Sequence, residues 1–403
     1  MQRATWLLLG ALLVLYGGWI AYGIVADRPL DFYVYLITAK IYALGGDPYT
    51  ITPAEWDATA AEMGITNYTW PYRYPPHTAL LLTPLLSVSP KVAALLWVSA
   101  NALAMIAGAW FLAGLFTQPY SRPLSLLLLL LLVPPLATLL AGQVVGLLYL
   151  STALGLLWLV RQRYLLAGWM LALGVTLKVV PLAMVAYLFW RKQWKVAFYA
   201  VGMLLLLLWL AIPLTGLEGM LSYFRHSIAL GEPGVVNSAP PNQTITAFIG
   251  RLLPHIATDQ TLLLARTLSL AVVVVTVVVC APRGNFQTFV SREYALIVAA
   301  LPMVAPYTWY HQLVMLHVPL LVAVMTMIAK REIWLLMVTL LLVALTDVHG
   351  LFWHQTMDAL GNGWWLSFPL LLTGFLWAYL AVDITRGKFI ATQSRAELSI
   401  SAH

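Results

Sequence analysis

The chain has 403 residues, of which 62% are hydrophobic and only 9% are charged, and its formal net charge is +7. Soluble domains carry roughly 25% charged residues, so a water-soluble globule is excluded and an integral membrane protein is expected. The basic residues sit in pairs between apolar runs, a pattern that holds loops on the cytoplasmic side and gives no footprint for nucleic acid.

The first apolar run, from Trp6 to Val25, is long enough to cross ~30 Å of hydrocarbon at ~1.5 Å per residue. It lacks a small-residue cleavage site, so it is expected to be an uncleaved span, with Arg3 holding the N-terminus in the cytoplasm. A polar, aromatic, carboxylate-bearing stretch follows over 26–89, the first of three loops expected outside the cell; the others are 214–259 and 347–363. Within the first loop the pattern predicts an amphipathic helix from Asp31 to Leu44 and a second near Pro53 to Met63. A third is expected after Pro75-Pro76, running to about Ser87.

Further apolar segments over 90–116, 123–140, 144–160, 164–176, 179–190, 196–213, 260–280, 292–305, 311–328, 333–346 and 364–383 predict an all-α polytopic membrane protein of about twelve crossings. Both termini are then cytoplasmic, residues 1–388 form one membrane domain, and the Ser- and Ala-containing tail 389–403 is expected to be disordered. Cys280, the only cysteine, cannot form an internal disulfide and reads as packing. Arg163 and Arg191 stand so close that each leg of the pair between them has about 13 residues and reaches ~20 Å. The apex, Leu177 to Pro181, is therefore expected below the outer lipid surface, where protein or water must satisfy its backbone.

Asp31 opens the first loop just ahead of a helical pattern. One role open to it is an N-cap; the other, compatible role is a general base. Transfer of a sugar from a lipid phosphate needs a single carboxylate, which deprotonates the acceptor hydroxyl, because a phosphate leaving group needs cations rather than a second acid. Cations expected on the same side are Arg28, Lys40, Arg73, Lys91, Lys178, Arg225, Arg251 and Arg266. Most long basic side chains at an interface merely snorkel. A lysine at the apex of a buried hairpin is costly unless paired, and a phosphate would pair Lys178. Trp70 and Tyr74 could anchor at the interface or stack on a sugar. His311 is expected to face the same compartment as Asp31, and His317 to make a structural hydrogen bond. Asn67-Tyr68-Thr69 and Asn242-Gln243-Thr244 match the glycosylation acceptor pattern, which arises easily by chance. No histidines or carboxylates have metal-ligand spacing. The competing class is a secondary transporter or a flippase of a lipid-linked substrate. Such a protein keeps carboxylates near the bilayer midplane and carries an internal repeat, and neither is evident. A lipid-binding scaffold without chemistry is the third reading.

Asp31-Phe-x-Val-Tyr35, Gly46-Asp-Pro-Tyr49, Tyr74-Pro-Pro76, Gly142-Gln143, Leu177-Lys178-x-x-Pro181, Asn242-Gln243-Thr244 with Arg251, and Trp309-x-His311 together resemble glycosyltransferase family 87. These are polytopic GT-C enzymes that use polyprenyl-phosphate sugars; the best-studied are mycobacterial mannosyltransferases that extend phosphatidylinositol mannosides. The resemblance implies a GT-C bundle with a long helical first extracytoplasmic loop, in the plasma membrane. It implies Asp31 as catalytic base and Lys178, Arg251 and His311 around the donor phosphate and sugar. Tyr35, Arg73, Tyr74, Gln143, Asn242 and Gln243 join them as expected substrate-binding residues. It further implies inversion at the sugar carbon, a lipid or glycan acceptor, and no metal or other cofactor. The sequence departs from the family at Val145, where Asn is common, and at Gln312, where a second His is common.

Overall fold

The computed structural model describes residues 2–26, 30–68, 71–229, 236–361 and 363–400, with side chains throughout except at 2–8, 227–229, 353–359 and 391–400. Arg28, Thr69 and Trp70 therefore lie outside the described residues. The described chain is helical, and its only strand-like pairing is an isolated bridge between Asn242 and Trp309.

The N-terminal half contains α1 (Gln2–Val25), α2 (Leu30–Ala43), α3 (Pro53–Glu62), the short α4 (Pro76–Leu80) followed by a 3-10 turn over Thr83–Ser87, α5 (Pro90–Leu112), α6 (Ser121–Leu131), α7 (Val133–Ala141) and α8 (Val145–Val160). It continues through α9 (Tyr164–Leu177), α10 (Leu182–Trp190) and α11 (Trp194–Ala229). The remainder comprises α12 (Ile245–Leu252), α13 (Thr258–Val279), α14 (Phe286–Val304), a 3-10 segment over Tyr310–Leu316, α15 (His317–Lys330), α16 (Ile333–Leu360) and α17 (Phe368–Ile400).

Most of each apolar segment expected to cross the bilayer is helical, although 123–140 is broken at Leu132 and 179–181 is a turn. Among the described residues six helices qualify as spans by length and composition, or up to eight if each bent pair is one span, fewer than the twelve crossings expected. The bent pairs are α1 with α2, at 55°, and α6 with α7, at 61°. The short hairpin is present as expected, since α9 has 14 residues and α10 only 9.

The first loop is helical, with differences in detail. Helix α3 starts where a capping box places it: Thr52 Oγ1 accepts from the Glu55 amide while Glu55 reaches back to the Thr52 amide at 2.9 Å. The expected third helix is broken into α4 and the 3-10 turn. Helix α2 is not amphipathic: every residue from Phe32 to Ala39 is buried, because α3, α4 and α5 enclose it.

Two expected loops are largely helix. Residues 214–229 continue α11 past a break at Gly216, whose φ of 70° lies in the left-handed region. Residues 347–360 continue α16, and Asp347 does not break the helix because its Oδ1 accepts the Val133 amide at the start of α7, 2.8 Å away. Helix α17 likewise runs to Ile400, into the segment expected to be an irregular tail.

Two cores hold these elements. A large aliphatic core joins α5 to α10 with α14, α15 and α17. A separate, aromatic-rich core gathers α2, α3 and α4 with Tyr72, Trp97 and Tyr223. His317 ties the first together. Its Nε2 lies 2.8 Å from the Ser125 carbonyl, which can only accept, so Nδ1 is the acceptor for the Tyr149 hydroxyl at 2.6 Å. That is the structural role expected of it.

At the end of α9–α10 away from its apex, Glu293 is fully buried. Arg191 Nε lies 3.0 Å and Lys388 Nζ 2.6 Å from it, and the Tyr187 hydroxyl donates to it at 2.6 Å. Removing one partner of a buried ion pair strands the other charge, at a cost of ~3–5 kcal/mol. Glu293→Ala should therefore lower the thermal unfolding midpoint of the detergent-solubilised protein sharply, and Glu293→Gln less so. An unchanged midpoint for the alanine variant would show that the cluster does not hold α10, α14 and α17 together.

Candidate active site

Asp31 stands in the first turn of α2, where a carboxylate favours the positive end of the helix, rather than ahead of the helix. Tyr35 follows four residues later, on the same face. Between them lies the side chain of Gln143, delivered from the far end of α7. Gly142 ends that helix with φ 68° and ψ 30°, which a glycine adopts without a Cβ penalty. The Gly142 amide bonds to Leu139 O and the Gln143 amide to Thr138 O, a Schellman closure that fixes the position of Gln143. Trp97 Nε1 adds a 2.8 Å bond to Gly142 O.

The buried Gln143 amide has three partners. Its Nε2 donates to Asp31 Oδ2, and its Oε1 accepts from the hydroxyls of Tyr35 and Tyr74, each at 2.9 Å. Tyr74 is held in turn through its backbone, since Tyr49 donates to its carbonyl at 2.6 Å. The ring of Tyr74 sits 4.9 Å from that of Tyr35, edge to face. On its other side Lys178 Nζ lies 5.7 Å from the Tyr74 ring centroid, within cation–π range.

Lys178 occupies the turn between α9 and α10 with extended backbone, φ −157° and ψ 134°. No carboxylate lies within ion-pair distance of it among the described residues. Burial pushes its ammonium down to about 8, with the nearby Asp31 charge pulling the other way. The Lys178 charge is also felt at His311, whose Nε2 is buried with no hydrogen-bond partner among the described residues. The His311 backbone is anchored, because its carbonyl accepts the Thr138 hydroxyl of α7. An acid, a cation and an imidazole from three distant stretches of chain thus meet at one place.

Lys178 lines a groove of about 150 Å³ between α8, the α9–α10 turn, the end of α14 and the 3-10 segment. Its lining is apolar apart from Lys178, Thr152, Tyr307, Thr308 and Gln312. Val145 lines it too.

Other expected site residues have different surroundings. Arg251 is buried: Nε donates to Ser367 Oγ at 3.0 Å, and Nη1 faces the carbonyls of Ser238, Ala239 and Asn242 at 3.0–3.3 Å. Asn242 Oδ1 accepts the Thr308 amide, and the Gln243 amide bonds to Thr308 O. Gln243 Nε2 donates to Pro240 O and Leu366 O. These three residues bind their own loop to the strand-like segment ahead of His311. Asn242 is 1% exposed, so the glycosylation pattern there has no accessible amide. Arg73 is exposed. Of the other cations expected on the outer side, Lys40 pairs with Glu62 at 3.1 Å and Arg225 pairs with Glu218.

Sequence reasoning missed Thr138, Trp97 and Asn101. Asn101 Oδ1 accepts the Leu147 amide at 3.2 Å and so fixes the start of α8. The one legible signal was the glycine before Gln143, a helix stop that makes the next residue's position exact in register. Among the described residues no group of three or more His, Cys, Asp or Glu could hold a metal ion.

The family model described as glycosyltransferase family 87 matches residues 72–352. That stretch includes Tyr74, Gln143, Lys178, Arg251 and His311, while Asp31 precedes it. No curated protein matches the chain. The match covers well over half of the sequence, so the chain belongs to glycosyltransferase family 87 and is a membrane glycosyltransferase.

Proposed function

We propose that the protein moves a hexose, mannose by family resemblance, from a polyprenyl-phosphate donor to a hydroxyl of a lipid-linked or glycan acceptor. The active site faces outward from the plasma membrane, and both chain termini lie in the cytoplasm. The observation that carries this reading is Lys178, an ammonium that lines an apolar groove and makes no ion pair among the described residues, with Asp31 close enough for its charge to act on it.

In this reading the polyprenyl chain lies in the groove and its phosphate meets Lys178 and the unpartnered Nε2 of His311. The sugar is presented to Asp31. The acceptor oxygen attacks the anomeric carbon while its proton passes to Asp31. The bond from that carbon to the phosphate oxygen breaks, and its electron pair leaves with the polyprenyl phosphate. Attack opposite the leaving group inverts the anomeric centre. The departing charge is met by Lys178, so the step calls on no second acid and on no cofactor. Arg251, Asn242 and Gln243 support the site by holding the loop against Thr308 and Trp309. Tyr35, Tyr74 and Gln143 line its inner side.

Purified protein incubated with labelled polyprenyl-phosphate mannose and a panel of lipid and glycan acceptors should yield labelled product. Asp31→Asn should reduce the rate by about 10²–10⁴, whereas an unchanged rate would remove Asp31 as the base. Lys178→Ala should weaken donor binding by tenfold or more, the order expected for losing a charge-assisted contact. Unchanged affinity would take Lys178 out of the donor site.

The pH dependence has a definite sign. The ammonium is present below about 8 and lost above it, so donor affinity should fall as pH rises through that value. Lys178→Arg, which stays charged, should flatten the dependence. Without donor the folded state binds fewer protons than the unfolded chain between about 8 and 10.5. This lysine therefore makes stability rise with pH across that window. A donor affinity independent of pH from 7 to 9.5 would contradict the assignment.

A further inference from the structure

Glutamine at position 143 is surrounded in a way that leaves its amide one orientation. An ionised carboxylate can only accept, so the nitrogen must face Asp31. The oxygen is then left for Tyr35 and Tyr74, both of which must donate to it. A flipped amide would set two oxygens against each other at Asp31 and lose that bond. Asp31 and Tyr35 are four residues apart on one face of α2, so a single helix turn grips the two ends of one amide. Gln143 is 2% exposed, and its backbone is fixed by the closure at Gly142.

Resting on the reading of Asp31 as the base, we propose that Gln143 is a positioning residue for the transfer reaction. It holds the Asp31 carboxylate in one orientation and ties it to the tyrosine whose ring faces Lys178. The chain of contacts runs from Asp31 through the amide to the Tyr74 hydroxyl, and from the Tyr74 ring to the ammonium. It thereby sets the spacing between the group that takes the proton and the group that meets the phosphate. Misplacement of either by about 1 Å is enough to slow a reaction ~10²-fold. Tyr35 and Tyr74 act in this scheme through the amide: with their hydroxyls engaged, Oε1 is occupied and the nitrogen stays on the carboxylate.

The test is steady-state kinetics of the purified full-length enzyme with labelled polyprenyl-phosphate mannose, alongside thermal unfolding. Gln143→Met keeps the length and removes both polar ends. It should lower kcat at least about tenfold with donor KM within a factor of two. Tyr35→Phe and Tyr74→Phe should each lower kcat by a smaller factor in the wild-type background. Added to Gln143→Met they should cost nothing further, the non-additivity of residues acting through one group.

A structural role alone would lower the unfolding midpoint and leave kcat per folded molecule unchanged. That result, or strictly additive losses in the double variants, would overturn the inference. Should Gln143→Met not fold, the Tyr35→Phe, Tyr74→Phe and combined variants provide the same cycle. Two hydroxyl deletions that leave kcat unchanged would then count against it. Asp31→Asn measured in parallel separates the two ideas. If it transfers as fast as wild type, the base assignment itself fails. If it is inactive while Gln143→Met matches wild type, only the positioning role fails.

Discussion

An ammonium seated at the apex of a short helical hairpin, with no ion pair among the described residues, is the constraint to which the surrounding structure answers. The same hairpin shows the alternative at its other end, where the Arg191 guanidinium pairs with the buried Glu293, which also takes the Lys388 ammonium and the Tyr187 hydroxyl. The fold thus gives a buried cation an ion pair where structure alone is at stake. At Lys178 it does not. The Tyr74 ring approaches instead, and an apolar groove opens alongside. A cation kept unneutralised in such a place is best accounted for by an anion that comes and goes.

The site lies on the seam between the two hydrophobic cores. Val144 and Leu177, neighbours of Gln143 and Lys178, pack in the aromatic core with Phe32, Tyr35 and Trp97. Val145 and Leu148, a few residues on, belong to the aliphatic core. Gln143 can sit here because the Tyr35 and Tyr74 hydroxyls satisfy its oxygen, and Lys178 because the Tyr74 ring faces it. Deep inside the aliphatic core they would need complete partners, as His317 has between Tyr149 and Ser125. The close fit at the seam is visible at Gly146, where a Cβ would come within 2.7 Å of the Asn101 carbonyl, so α8 can approach α5 only with glycine there.

What could be read from the sequence followed from local chemistry and spacing. Thr52, Pro53 and Glu55 spell a helix start, and α3 begins there. Arg163 and Arg191 stand too close for two full crossings, and α9 and α10 are short. Lys178 was legible because its position at the apex follows from that spacing. What could not be read was set by contacts distant in sequence. Asp347 and His349 interrupt an apolar run and so resemble a loop, yet α16 continues because the Val133 amide, more than two hundred positions away, accommodates the carboxylate. Helix α2 carries polar residues, yet it is enclosed on all sides by segments that fold back over it. Arg251 carries the right charge for a phosphate site, but no pattern in the chain reveals that three loop carbonyls converge on it.

The groups brought together around Asp31 come from α2, the loop ahead of α4, the end of α7, the α9–α10 turn and the 3-10 segment after α14. None of them rests on side-chain packing alone. Gln143 is placed by backbone bonds at a helix stop, Tyr74 by Tyr49 on its carbonyl, and His311 by Thr138 on its carbonyl. The segment before His311 is further pinned by the Asn242–Trp309 bridge, which Arg251 stabilises from behind. Donors and charges fixed at the backbone need little reorganisation when charge develops in a transition state. The phosphate leaving group proposed above would draw on that economy of motion. Arg251 takes part in that anchoring through the loop carbonyls of Ser238, Ala239 and Asn242 that it gathers.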